Sequence, residues 1–168
     1  MPEVLTDTQI AQYRRDGCVF PIDVMPAEQA AEFRAAFEAT ERAAWGVVGR
    51  AQDDAEGREW LRRPHHFHRW AFDLCSHPRI VGAIGDLLGP DVMLWDAKLF
   101  PKPARSRSFV SWHQDATYVG LRPLDKVLTV WYGMTDKGPE QWRHEFLARL
   151  AGTKDSSITI RPIRTAIC

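Results

Sequence analysis

The residues of this chain best suited to chemistry are His113 and Asp115, which stand two apart in the segment WHQD. On an extended strand, positions i and i+2 share a face, so an imidazole and a carboxylate would stand side by side with Gln114 turned away. A mixed nitrogen and oxygen pair suits a divalent first-row metal. One further histidine would complete a 2-His-1-carboxylate face, with open positions for a co-substrate and dioxygen. Two ligands alone hold such a metal weakly. The spacing by itself also fits a strand histidine beside a surface aspartate, because acidic residues are common enough to fall there by chance.

A second cluster, His65, His66 and His68 in HHFH, gathers three imidazoles, and imidazole is a frequent metal ligand. It has no carboxylate or cysteine partner at a useful spacing. It reads better as a helix start with some rings toward the core and others toward water. The arginine pairs beginning at Arg14 and Arg62 read as solvated helix faces. Trp60, Trp70 and Trp95 read as core or helix-to-sheet packing, since no basic groove accompanies them. Cys18, Cys75 and Cys168 are widely spaced, odd in number and without a CxxC pairing, so they are expected to be ordinary thiols.

The elements that must position these residues follow from caps and periodicity. Thr6 with Gln9 three residues later predicts a capped helix that ends at Gly17, followed by a short strand over 18–21. Met25 and Pro26 open a second helix, with Pro at its first position, carrying Ala30, Phe33 and Phe37 on one face and closing near Gly46. The polar stretch between Gly46 and Pro64 is expected to be a mobile surface loop. Two helical stretches between His68 and Leu88 are separated by His77 and Pro78, and LLGP is a helix stop. Residues 91–100 (DVMLWDAKLF), 109–118 (FVSWHQDATY) and 126–135 (KVLTVWYGMT) are rich in β-branched and aromatic residues and predict strands. Helices followed by strands make an α+β order.

The 168 residues suffice for one domain, and a 45% hydrophobic composition with seven tryptophans is that of a packed globular chain. Lys and Arg together number 22, as do Asp and Glu, so no field draws the chain to nucleic acid or a membrane surface. Small molecules are the expected partners. With no signal-like apolar region at the start and no stretch long enough to span a bilayer, a soluble cytoplasmic location is expected.

The setting of WHQD narrows its meaning. The run FPKPARSRSFVSWHQDATYVGLRPLDKVLTVW passes from a strand ending in a KP turn, through WHQD, an aromatic and a GLRP turn, to a strand bearing Trp131. It resembles the central region of the phytanoyl-CoA dioxygenase family of iron(II) and 2-oxoglutarate dependent oxygenases. LTDTQIAQYRRDGCVF resembles that family's opening, and LCSHPRIVGAIGDLLGPDVMLW its helix ending in LGPDV, so the likeness covers 5–135 in order. The resemblance implies a double-stranded β-helix, a cupin-like jelly roll, with helices packed outside and the HxD motif near the barrel mouth. It implies iron(II) on His113 and Asp115, 2-oxoglutarate as co-substrate, and dioxygen-dependent hydroxylation of a small organic or acyl substrate. Trp131 stands where the family often has a tryptophan lining the 2-oxoglutarate pocket, and Lys98 lies on a preceding strand facing the same cavity. The plain alternatives are a barrel-wall aromatic and a solvated strand lysine. Related halogenases carry a small residue in place of the carboxylate, so Asp115 implies hydroxylation.

The likeness stops at Glu140. The family's third ligand, a histidine on a late strand, and the arginine that pairs with the far carboxylate of 2-oxoglutarate belong to sequence that does not follow here. His144 is the one histidine after the motif, in EQWRHEFLARL, which has helical character. Arg161 and Arg164 read as surface arginines. Synonymous codons for QWRHEFLARLAG, read one nucleotide later, can spell NGAMSFLPGS; those for SSITIRPIRTAIC, read two nucleotides later, can spell LHHDTPDPDSYL. Both strings resemble the missing family sequence. The expectation is the N-terminal part of a family domain over 1–140 and a frameshift-derived tail over 141–168. The alternative to an active enzyme is a truncated, catalytically inactive relative acting at most as a weak metal-binding or interaction domain.

Overall fold

The computed structural model describes residues 3–47, 62–101, 113, 115–134 and 165–167. In chain order the described helices are α1 (Asp7–Asp16), α2 (Ala27–Trp45), α3 (Pro64–Phe67), α4 (Arg69–Cys75), α5 (Pro78–Leu88) and α6 (Asp115–Val119). A 3-10 turn at Leu124–Lys126 and two short strands, β1 (Val130–Tyr132) and β2 (Thr165–Ile167), complete the set. The chain divides into two compact units, one of Met1–Val24, Gly82–Val92 and Ser111–Cys168, the other of Met25–Val81 and Met93–Val110.

In the first unit, α1 begins where its cap dictates. The Thr6 hydroxyl accepts from the Gln9 N–H at 3.2 Å while the Gln9 carboxamide oxygen accepts from the Thr6 N–H at 2.9 Å, so two otherwise orphaned donors are satisfied reciprocally. The helix ends at Gly17, whose φ of 79° lets its N–H reach back to the Tyr13 carbonyl at 2.8 Å. Ile10 is buried, together with Leu5, Cys18, Val19, Ile22 and Val24 on the flanking segments. The strand expected at 18–21 narrows to one bridging residue, Val19.

The chain start is tied down by a residue far along the sequence. On α5, Asp86 accepts the backbone N–H groups of Glu3 at 2.8 Å, Val4 at 2.9 Å and Leu5 at 2.8 Å. One carboxylate thereby satisfies three consecutive donors in charge-assisted bonds. One turn earlier on α5, a Cβ at Gly82 would lie 2.7 Å from Val4 Cγ2, so the close approach of residues 3–5 requires glycine there.

In the second unit, α2 runs to Gly46 (φ 72°) as its periodicity predicts, with Pro26 as the N-cap instead of the first helical residue. Ala30, Phe33 and Phe37 share its half-buried face, and Glu41 on the next turn is fully buried. Trp70 of α4 packs there. Its indole N–H donates to the Thr40 hydroxyl at 3.1 Å, and its ring meets Phe37 edge-on at 6.0 Å and 65°. The solvated face of α2 carries Glu38 between Arg34 (2.8 Å) and Arg42 (2.9 Å), both at i,i+4 spacing. Ala71, Leu74 and Ile80 are buried in this unit.

The strand expectations require correction. Residues 91–100 contain no strand; they run as irregular chain with Met93 73% and Trp95 53% exposed, so Trp95 is not the packing residue expected. Of the expected strand at 109–118, residues 109–112 and 114 lie outside the described residues, while Asp115–Val119 form the helix α6. Of 126–135, Val130–Tyr132 are extended, pairing antiparallel with Thr165–Ile167 in the register Val130 to Ile167, Trp131 to Ala166 and Tyr132 to Thr165. The physical reason is that β-branched composition states compatibility with a pleated surface, whereas a strand exists only where a neighbour takes up its N–H and C=O groups. Most of the expected loop between Gly46 and Pro64, and Trp60 with it, lies outside the described residues.

Candidate metal site

His113 and Asp115 do come together, by a route other than the expected strand. Asp115 is the first residue of α6, where an acidic side chain complements the exposed N–H groups of a helix start, and His113 stands just before it. His113 Nε2 lies 3.1 Å from Asp115 Oδ1, with the two side chains 31% and 36% exposed. Two ligands about 2.1 Å from a shared cation and at right angles to each other are about 3.0 Å apart. The observed separation therefore suits chelation as well as a direct hydrogen bond, and the donor set of one imidazole and one carboxylate suits a divalent first-row metal.

Tyr118 joins the pair. It follows Asp115 by three positions on α6, and its ring meets the His113 ring at 5.7 Å and 70° while remaining 74% exposed. Sequence reasoning marked this position only as an aromatic after the motif. The signal available was the i,i+3 spacing from Asp115, which has meaning only once the segment is known to be helical.

Among the described residues no group of three His, Cys, Asp or Glu side chains converges as a metal site. Trp131 lies in the middle of β1, half-buried, in the same unit as the pair. Lys98 belongs to the other unit, with its side chain 50% exposed and Nζ 3.9 Å from Asp96 Oδ2. His144, Arg161 and Arg164 lie outside the described residues.

The HHFH cluster behaves as a helix start. Pro64 opens α3, the His65 and His66 rings stand 4.2 Å apart, and His68 stacks on Trp70 at 6.1 Å and 17°. Burial pushes the His65 imidazole below its ordinary pKa, with His66 adding to the effect, and burial alone does the same to His68. The charge of Asp96 acts on His65 in the opposite sense, a carboxylate neighbour invisible in the local sequence. Cys18 is buried, and burial raises the Cys75 thiol above its ordinary pKa, which favours its protonated form.

The sequence profile of the phytanoyl-CoA dioxygenase family matches residues 13–141, well over half of the chain. The chain belongs to the phytanoyl-CoA dioxygenase family. Among solved structures it is similar to the nickel complex of the non-heme monooxygenase ThoJ, with 25% identity and a TM-score of 0.71, covering 95% of this chain and 66% of that one. The metal-free ThoJ structure gives 24% identity and a TM-score of 0.69 over the same shares of the two chains. The chain thus spans 66% of the length of the structures it matches. No curated protein matches the sequence. Membership in the phytanoyl-CoA dioxygenase family carries a cupin-like fold. No helix among the described residues is long and apolar enough to cross a membrane.

Proposed function

We propose that this chain is an iron(II) and 2-oxoglutarate dependent dioxygenase that hydroxylates a small organic or acyl substrate, with His113 and Asp115 as two of its metal ligands. The observation that carries the reading is the 3.1 Å separation of an imidazole nitrogen and a carboxylate oxygen, within a family of metal-using oxygenases. Iron, when bound, supplies the activation of dioxygen and of the substrate C–H bond. The residues of this chain hold and orient it. His113 would present an imidazole nitrogen to the ion, and Asp115 would offset part of its charge. In this reading Trp131 lines the 2-oxoglutarate site within a jelly roll. Lys98, with Asp96 as its neighbour, is the weaker cofactor residue.

An anaerobic iron(II) titration followed by a 2-oxoglutarate turnover assay tests the proposal. Iron binding and 2-oxoglutarate consumption by the native chain, both lost in His113→Ala, are the expected results; turnover that survives the substitution refutes the assignment.

A second reading is favoured by two observations: the family match ends at residue 141, and no third ligand converges on the pair among the described residues. In it, 141–168 is a frameshift product, and the chain is an inactive relative that binds metal weakly. Weak iron binding without turnover, together with a restored family sequence on resequencing the encoding locus, is its expected signature. An uninterrupted frame encoding this tail in repeated isolates refutes it.

A further inference from the structure

We propose that Tyr118 is a positioning residue for the His113 imidazole; the inference rests on the reading of His113 and Asp115 as metal ligands. Three positions separate Asp115 from Tyr118 on α6, so the two side chains rise from one face of a single helical turn. His113 stands immediately before that turn and meets both. Asp115 Oδ1 lies 3.1 Å from its Nε2, and the Tyr118 ring meets its ring edge-on, with centroids 5.7 Å apart and planes at 70°. Rings prefer this arrangement because the positive edge of one faces the negative face of the other. The imidazole is therefore approached at two places by residues of the same turn.

Core packing does not account for Tyr118, since a side chain 74% exposed removes little apolar area from water. What the ring does is narrow the range of orientations open to His113. A ligand held near its bound orientation loses less freedom when the metal arrives, and partners that orient a ligating histidine raise metal affinity for that reason. The ring-to-ring contact needs an aromatic ring at position 118 and makes no demand on the hydroxyl. Phenylalanine should therefore serve in its place, and a small or aliphatic side chain should not.

Calorimetric titration of the full chain with nickel(II), a redox-inert stand-in for iron, separates the outcomes. The native chain and Tyr118→Phe should bind within about twofold of each other, Tyr118→Ala should bind roughly three- to tenfold more weakly, and His113→Ala should lose binding. Circular dichroism melts of each variant establish that the fold persists. Should Tyr118→Ala fail to fold, Tyr118→Leu keeps bulk without the aromatic edge and should show the same weakening. Equal binding by the native chain and the non-aromatic variant, or equal weakening by Phe and Ala, overturns the inference while leaving the ligand assignment standing. Absence of nickel binding by the native chain overturns the ligand assignment, and the inference with it.

Discussion

The anchoring of the chain start and the candidate metal site solve opposite problems within the same unit. At the start, Asp86 captures the N–H groups of residues 81 to 83 positions away, so the contact closes a long loop and orders two distant segments at once. At the site, His113, Asp115 and Tyr118 meet within one helical turn and the residues leading into it. The first arrangement spends its carboxylate on backbone donors. The second orders little chain and leaves its functional groups exposed. On the proposed reading of His113 and Asp115 as metal ligands, stability and ligand binding rest on separate residues, so each should respond to substitution without the other.

Removing the anchor should produce the largest change. Asp86→Ala strands three backbone donors, and a loss of about 2–3 kcal/mol in unfolding free energy is expected from chemical denaturation, given the worth of hydrogen bonds to a charged acceptor. Nickel affinity at His113 should stay within about twofold under conditions where the variant is folded. A variant that unfolds with native stability breaks the comparison on the anchoring side.

Acid should weaken the two units in separate steps. His65 and His68 have lowered folded-state pKa values, so below about pH 6.5 the unfolded chain binds more protons than the folded one and stability falls as the pH drops. For Asp86 burial alone would raise the pKa, but the N–H groups of Leu5, Glu3 and Val4 hold it below the usual carboxylate range. Its contribution is fully present above about pH 4 and is lost as the pH falls through the lowered folded value. Denaturation midpoints between pH 7 and pH 3 should show both steps, with His65→Phe flattening the first and Asp86→Asn the second. A single step below pH 4 contradicts the histidine contribution.

The smallest effect on stability belongs to the site. His113→Ala removes a partly exposed side chain whose contacts with Asp115 and Tyr118 are local, so the unfolding free energy should change by less than about 0.5 kcal/mol. A larger loss in a thermal or denaturant melt would place His113 among the structural residues.

Sequence alone determined what is local. The start and stop of α1 were legible because Thr6, Gln9 and Gly17 act on backbone groups three or four residues away, and Gly46 closed α2 for the same reason. The identity and spacing of His113 and Asp115, and the family they mark, were equally legible, since the family profile covers them. Tertiary structure decided what depends on a distant partner. The irregular course of 91–100, the shortening of the last expected strand to Val130–Tyr132, and the capture of residues 3–5 by Asp86 each turn on which groups come to lie opposite them. A helix satisfies its hydrogen bonds within its own segment, whereas a strand or a side-chain anchor takes its partner from elsewhere in the fold.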